Sequence, residues 1–251
     1  MQPLALAWGF LTVLPTPAVR DPKPSDFGRA AALFPSVGLL IGLLLAGVDA
    51  VSRLVWPEAV AAALTLGVAI LLTGALHLDG FLDTCDGLFL WRPERRLEVM
   101  RDSRVGGFAV AGGLALYGIK LTALGAIGGP ARIAGLILAP TLARLSLTIA
   151  LALFPYARPS GAGSAFKDGV RLSHAFAALA TGLLAAAWWG TIGVALCVFA
   201  VVLSLLLAVF IKSRLGGLTG DTYGFISECV EAATLLAVAS PLGSGLRPLL
   251  P

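Results

Sequence analysis

The segment His77-Leu-Asp-Gly-Phe-Leu-Asp-Thr-Cys-Asp-Gly87 places an imidazole and three carboxylates directly after the apolar run AVAAALTLGVAILLTGAL. If the helix of that run continues, Asp79, Asp83 and Asp86 stand at i, i+4 and i+7 and share one face. Like charges so arranged repel unless something neutralises them. A hard divalent cation such as Mg2+ does so with oxygen ligands, and it commonly bridges carboxylates to substrate phosphates. Gly80 and Gly87 remove side-chain bulk where a phosphate or nucleotide could approach. The plainer alternative is a solvated acidic cap at a membrane boundary, a costly place for carboxylates. The spacing does not match an EF-hand loop. His77 has two readings, one orienting a carboxylate or the substrate and one purely structural.

Two further stretches carry related chemistry. In LEVMRDSRVGGF, Arg101 and Arg104 are of the type that grips phosphate bidentately, or they anchor the chain at the membrane edge. Asp102 between them either pairs with an arginine or adds a metal ligand. In GGLTGDTYGFISECVE, Gly216, Gly217 and Gly220 form a loop able to wrap a phosphate with backbone N–H groups. Asp221 starts a helix there, with Glu228 on the same face and Glu231 one turn beyond. Glu228 is either a ligand or a buried, protonated or paired group. Two separate acidic clusters could hold one or two metal ions between them. Lys120 and Arg144 fall inside apolar runs, where charge is a functional hypothesis by default. They either face a common cavity and bind an anionic substrate, or pair with Asp49 or with carbonyls.

The elements that must position these residues are membrane helices. The chain is 58% hydrophobic and 13% charged, whereas soluble domains carry about a quarter charged residues. Its solvent is lipid. Apolar runs define seven spans, at 30–54, 58–76, 106–127, 131–154, 173–189, 191–211 and 228–246. Tight turns at Trp-Pro-Glu, Gly-Gly-Pro and Trp-Trp-Gly lie on one side of the membrane. The other side carries thirteen Lys and Arg against three (Arg53, Arg132 and Arg247) on the turn side. This positive-inside bias predicts that the longer loops face the cytoplasm, and it accounts for the net charge of +4 without nucleic acid. The acidic residues gather on the same side. The segment MQPLALAWGFLTVLPTP lacks a basic n-region and is too short to span, which predicts a re-entrant or interfacial helix and no cleaved signal peptide. Cys85, Cys197 and Cys229 form no CxxC pair and suggest neither disulfides nor zinc. The expectation is an all-α polytopic membrane protein of about seven transmembrane helices in one integral membrane domain over 1–251.

The segments FLTVLPTP, FPSVGLLIG, TGALHLDGFLDTCDGL, MRDSRVGGF and GGLTGDTYGFISECVE occur in that order. Together they resemble the cobalamin synthase family, the adenosylcobinamide-GDP ribazoletransferases, over nearly the whole chain and least over 110–215. The resemblance implies an enzyme of the bacterial cytoplasmic membrane, with its site facing the cytoplasm. It would join adenosylcobinamide-GDP to α-ribazole or its 5'-phosphate, release GMP and require Mg2+. Carried over by motif, Asp79, Asp83, Asp86, Asp102, Asp221 and Glu228 would hold metal. His77, Arg101, Arg104, Lys120, Arg144 and Gly220 are the candidate substrate-binding residues. A ribose hydroxyl would attack the phosphorus on the cobinamide side, with Asp83 or Asp86 taking its proton.

Two other readings compete. CDP-alcohol phosphotransferases also gather aspartates at a membrane face, but their DGxxAR element is absent because Leu82-Asp83-Thr84 follows Gly80-Phe81. A cation-coupled transporter would place carboxylates near the bilayer midplane, whereas the midplane charges expected here are basic. The sequence leaves room for a homo-oligomer.

Overall fold

The computed structural model describes residues 2–158, 161 and 163–249. Twelve α-helices follow in chain order: α1 (Gln2–Leu11), α2 (Pro24–Ala32), α3 (Phe34–Ser52), α4 (Glu58–Leu72), α5 (Leu76–Leu88), α6 (Arg96–Val99), α7 (Gly107–Ala126), α8 (Gly129–Leu153), α9 (Ser164–Gly169), α10 (Leu172–Ala187), α11 (Gly190–Leu215) and α12 (Gly220–Ala239). Among the described residues the only β-type pairing is one isolated bridge, Tyr156 to Leu218. Among the described residues five helices (α3, α7, α8, α11 and α12) are long and apolar enough to cross a membrane, and a sixth crossing arises if α4 and α5 count as one bent span. The seventh expected span corresponds to α10, which is apolar but has 16 residues, short of the ~20 that a full crossing takes.

Helix α8 is the axis of the bundle. Its apolar stretch is 89% buried, against 28% for α7, because α3, α10, α11 and α12 all pack on it. Small residues let the backbones close up, as membrane helices require when lipid supplies no hydrophobic drive between them. A methyl group added at Gly42 of α3 would lie 2.7 Å from the Ile137 Cα of α8, and one at Gly38 would lie 2.9 Å from the Thr141 Cα.

The second expected span does not continue straight into the acidic motif. Gly74 and Ala75 both take left-handed backbone conformations (φ 58° and 55°), and α5 leaves α4 at 90°. For Ala75 this geometry costs about 1–2 kcal/mol. Asp79, Asp83 and Asp86 therefore share a face of a separate, transverse helix. The last span also differs from the expected 228–246. Helix α12 begins at Gly220, where Thr219 caps it by accepting a hydrogen bond from the Thr222 N–H. Glu228 thus sits inside the helix, about 12 Å along the axis from its start.

Arg132, counted by sequence as a loop charge, is fully buried at the start of α8 and pairs with Asp49 of α3 at 2.6 Å. Asp49 is therefore the partner of Arg132, and not of Lys120 or Arg144. The N-terminal part of α8 lies against α3, so the buried Arg132 guanidinium meets the Asp49 carboxylate in place of water.

Candidate active site

The site is built where α5 crosses α12. Neither helix has a side chain at the crossing. A Cβ at Gly80 would lie 2.7 Å from the Asp221 carbonyl oxygen and 2.9 Å from the Asp221 Cα, and one at Gly224 would lie 3.1 Å from the His77 Cα. The rings of Phe81 and Phe225 stack beside this contact with centroids 5.1 Å apart. Backbone contact at two glycines brings the first acidic motif directly onto the second.

Asp79, Asp83, Asp86 and Asp221 then form one electrostatic cluster, with Asp79, Asp221, Arg158 and Asp86 all acting on Asp83. The cluster is not uniform. Asp86 accepts hydrogen bonds from the Gly106 N–H (2.6 Å) and the Ala109 N–H (2.8 Å), one on each carboxylate oxygen. It caps the N-terminus of α7 from a neighbouring helix, where a negative charge offsets the helix dipole. Asp221 pairs with Arg158 at 2.8 Å and accepts from the Thr219 hydroxyl. Asp79 and Asp83 accept no hydrogen bond among the described residues; Asp79 is exposed and Asp83 half-buried.

Arg158 was read from the sequence only as a topology charge. Two backbone bonds deliver it to the site: the Ala157 N–H donates to the Leu218 carbonyl (2.7 Å) and the Leu218 N–H to the Pro155 carbonyl (2.8 Å). These tie the loop after α8 to the loop before α12. The Arg158 side chain is 9% exposed, and its Nε and Nη2 have no partner among the described residues. Nothing local in Tyr-Ala-Arg-Pro signals this role.

The remaining sequence candidates lie elsewhere. Arg101 and Arg104 are exposed on the α6–α7 connection. Asp102 is bound by Arg104 at 2.6 Å, and hydrogen bonds from the Arg104 side chain and N–H hold its carboxyl down at about 2. Lys120 of α7 pairs with Glu228 and Glu231 of α12, and Arg144 of α8 pairs with Glu231 at 2.7 Å. This network balances two cations against two carboxylates in the apolar interior, the arrangement that makes intramembrane charge tolerable. It lines a second, smaller cavity together with Leu78 and Tyr117. Gly220 and His77 do reach the site. Both line a cavity of about 190 Å³ that also contains Asp79 and Asp221.

Among the described residues no three His, Cys, Asp or Glu side chains converge closely enough to hold a metal by themselves. The donor set fits Mg2+ in another way. Asp79 and Asp83 are hard oxygen donors one turn apart without partners, in a cluster with more carboxylates than cations. Mg2+ is commonly bound by one or two carboxylates, completed by water and substrate phosphates.

The cobalamin-5-phosphate synthase family model matches residues 3–239 of the chain. The chain belongs to that family. Relatives agree over almost their whole length. The adenosylcobinamide-GDP ribazoletransferase of Pseudomonas paraeruginosa (strain PA7) is 40% identical, covering 95% of this chain and 98% of the relative. The enzymes of the same name from Roseiflexus sp. (strain RS-1) and Brevibacillus brevis are each 36% identical, covering 96% and 92% of this chain and 91% and 95% of the relatives. No solved structure matches the chain. In this cobalamin-5-phosphate synthase family member, the two acidic motifs stand against one another at one end of the bundle.

Proposed function

We propose that this chain transfers adenosylcobinamide phosphate from adenosylcobinamide-GDP to α-ribazole or α-ribazole 5'-phosphate, with Mg2+, at the cytoplasmic face of the bacterial inner membrane. The observation that carries this reading is the α5–α12 crossing at Gly80 and Gly224. It sets the carboxylates of both motifs beside one cavity in a chain whose named relatives are ribazoletransferases.

The reaction is a phosphoryl-group displacement. A ribose hydroxyl oxygen bonds to the phosphorus on the cobinamide side, the bond from that phosphorus to the GMP oxygen breaks, and GMP departs. Little covalent chemistry is asked of the protein, so catalysis is positioning and charge stabilisation. Asp79 and Asp83, with Asp221 behind them, are the residues that would hold Mg2+. The bound ion would neutralise charge on the diphosphate oxygens. Arg158 offers the free edge of a buried guanidinium to the same oxygens. Asp83 takes the hydroxyl proton on the carboxylate oxygen not given to the ion; Asp86 has no such oxygen, because both of its own are engaged by α7 backbone N–H groups.

The test is incubation of the purified protein in detergent with adenosylcobinamide-GDP, α-ribazole and Mg2+, followed by mass spectrometry. The expected products are GMP and adenosylcobalamin in equal amounts, lost with EDTA and restored by Mg2+. Turnover unaffected by chelation rules out the metal.

A further inference from the structure

The cavity beside Asp79 and Asp221 has a second wall that the transfer chemistry leaves unused. Phe10 of α1, Phe34 of α3 and Phe166 of α9 line it. Their rings pack on one another, with the Phe166 centroid 4.5 Å from Phe10 and 5.2 Å from Phe34. Two polar atoms belong to its other residues and have no partner among the described residues: His77 Nδ1 and the Tyr223 hydroxyl. His77 is 4% and Tyr223 5% exposed. A buried polar atom left unpaired is costly, and in a native protein it calls for a functional role or an ordered water or ion.

We infer that this cavity is the subsite for the heteroaromatic base of the acceptor nucleoside, with the ring against Phe10, Phe34 and Phe166 and its ring nitrogen or sugar within reach of His77 and Tyr223. The inference rests on the transfer reaction proposed above. The cavity measures about 190 Å³ and is open on one side; since about 150 Å³ holds benzene, it has room for the six-membered ring of such a base, with the rest of the nucleoside toward the opening. Chemistry agrees as well. The ribazole base is a methylated benzimidazole, apolar around most of its edge, which suits three Phe rings and two polar atoms. Guanine presents donors and acceptors around its rim and would leave several unpaired against this wall. Connectivity decides between the two bases. In the acceptor, the attacking hydroxyl sits on the sugar that carries the base. In the donor, guanine is separated from the reacting phosphorus by a sugar and a second phosphate. A base cavity walled by Asp79 is therefore on the acceptor side.

The test uses the full chain in detergent and two conservative variants, Tyr223→Phe and Leu147→Phe. The first removes an unpaired hydroxyl, and the second extends a cavity-lining side chain into the space. Apparent KM is measured separately for α-ribazole and adenosylcobinamide-GDP, and equilibrium binding of α-ribazole and of GMP is measured by calorimetry. Each variant is expected to raise KM and Kd for α-ribazole ~5-fold or more, the worth of about one hydrogen bond or one obstructed ring, with the donor KM and GMP affinity within twofold of wild type. Unchanged α-ribazole binding in both variants overturns the assignment and leaves the transfer reaction standing. Selective loss of GMP binding gives the cavity to the donor and also overturns it. If wild type shows no transfer, the proposed reaction falls, and the binding arm still decides: variant-sensitive α-ribazole binding supports the subsite and its absence refutes it.

Discussion

Gly80→Ala examines the joint on which the site depends. The new Cβ would lie 2.7 Å from the Asp221 carbonyl oxygen, about 0.7 Å inside an ordinary contact of 3.4 Å, and 2.9 Å from the Asp221 Cα. Both are backbone atoms of α12, so no side chain can swing away. Either α5 shifts from α12 by most of an ångström or the contact stays strained. Overpacking of this kind costs about 1–3 kcal/mol. A misplacement near 1 Å costs up to about 10²-fold in rate where reacting groups are held in register. Gly67→Ala in α4 is the control: nothing lies within 4 Å of its Cβ, and Ala for Gly inside a helix gains ~0.5–1 kcal/mol. The assay pairs thermal unfolding in detergent with GMP release at saturating substrates. Gly80→Ala is expected to melt several degrees lower and to lose ten- to a hundredfold in turnover (about 1–3 kcal/mol in barrier), while Gly67→Ala melts no lower than wild type and keeps its turnover. A Gly80→Ala protein with wild-type melting and turnover within twofold would refute the idea that backbone contact at this crossing sets the carboxylates.

Asp83→Ala and Asp86→Asn should separate two roles. The first is expected to abolish GMP release with melting unchanged. The second keeps one acceptor oxygen but sets an NH2 against the other α7 N–H and removes the charge that offsets the helix dipole, which should lower stability by about 1 kcal/mol, visible as a lower melting temperature. Glu231→Gln leaves Lys120 and Arg144 short of a carboxylate in the apolar interior. Breaking a buried pair costs about 3–5 kcal/mol, so this variant should show sharply reduced folded yield, whereas Arg104→Ala on the exposed loop should melt like wild type. A cysteine introduced between Arg92 and Arg104 should be labelled by impermeant reagent only from the cytoplasmic side. Periplasmic labelling would invert the orientation.

The membrane class, the approximate spans and the shared face of Asp79, Asp83 and Asp86 were legible in the sequence, because hydropathy and helical spacing are local properties. So were both acidic motifs. The partners of the charges were not. Lys120 reaches Glu228 and Glu231, Arg144 reaches Glu231, and Arg132 reaches Asp49, since a buried cation's partner depends on which faces of two distant helices touch. The 90° turn at Gly74 and Ala75 looks like uninterrupted apolar sequence. Asp86 as a cap for α7, and Arg158 as the cation beside Asp221, each require backbone from elsewhere in the chain to arrive at the right place. Sequence alone determined what kinds of groups the two acidic motifs carry; the packing of α5 on α12 at two glycines decided which of them meet, because contact between remote segments is set by how closely two backbones can approach.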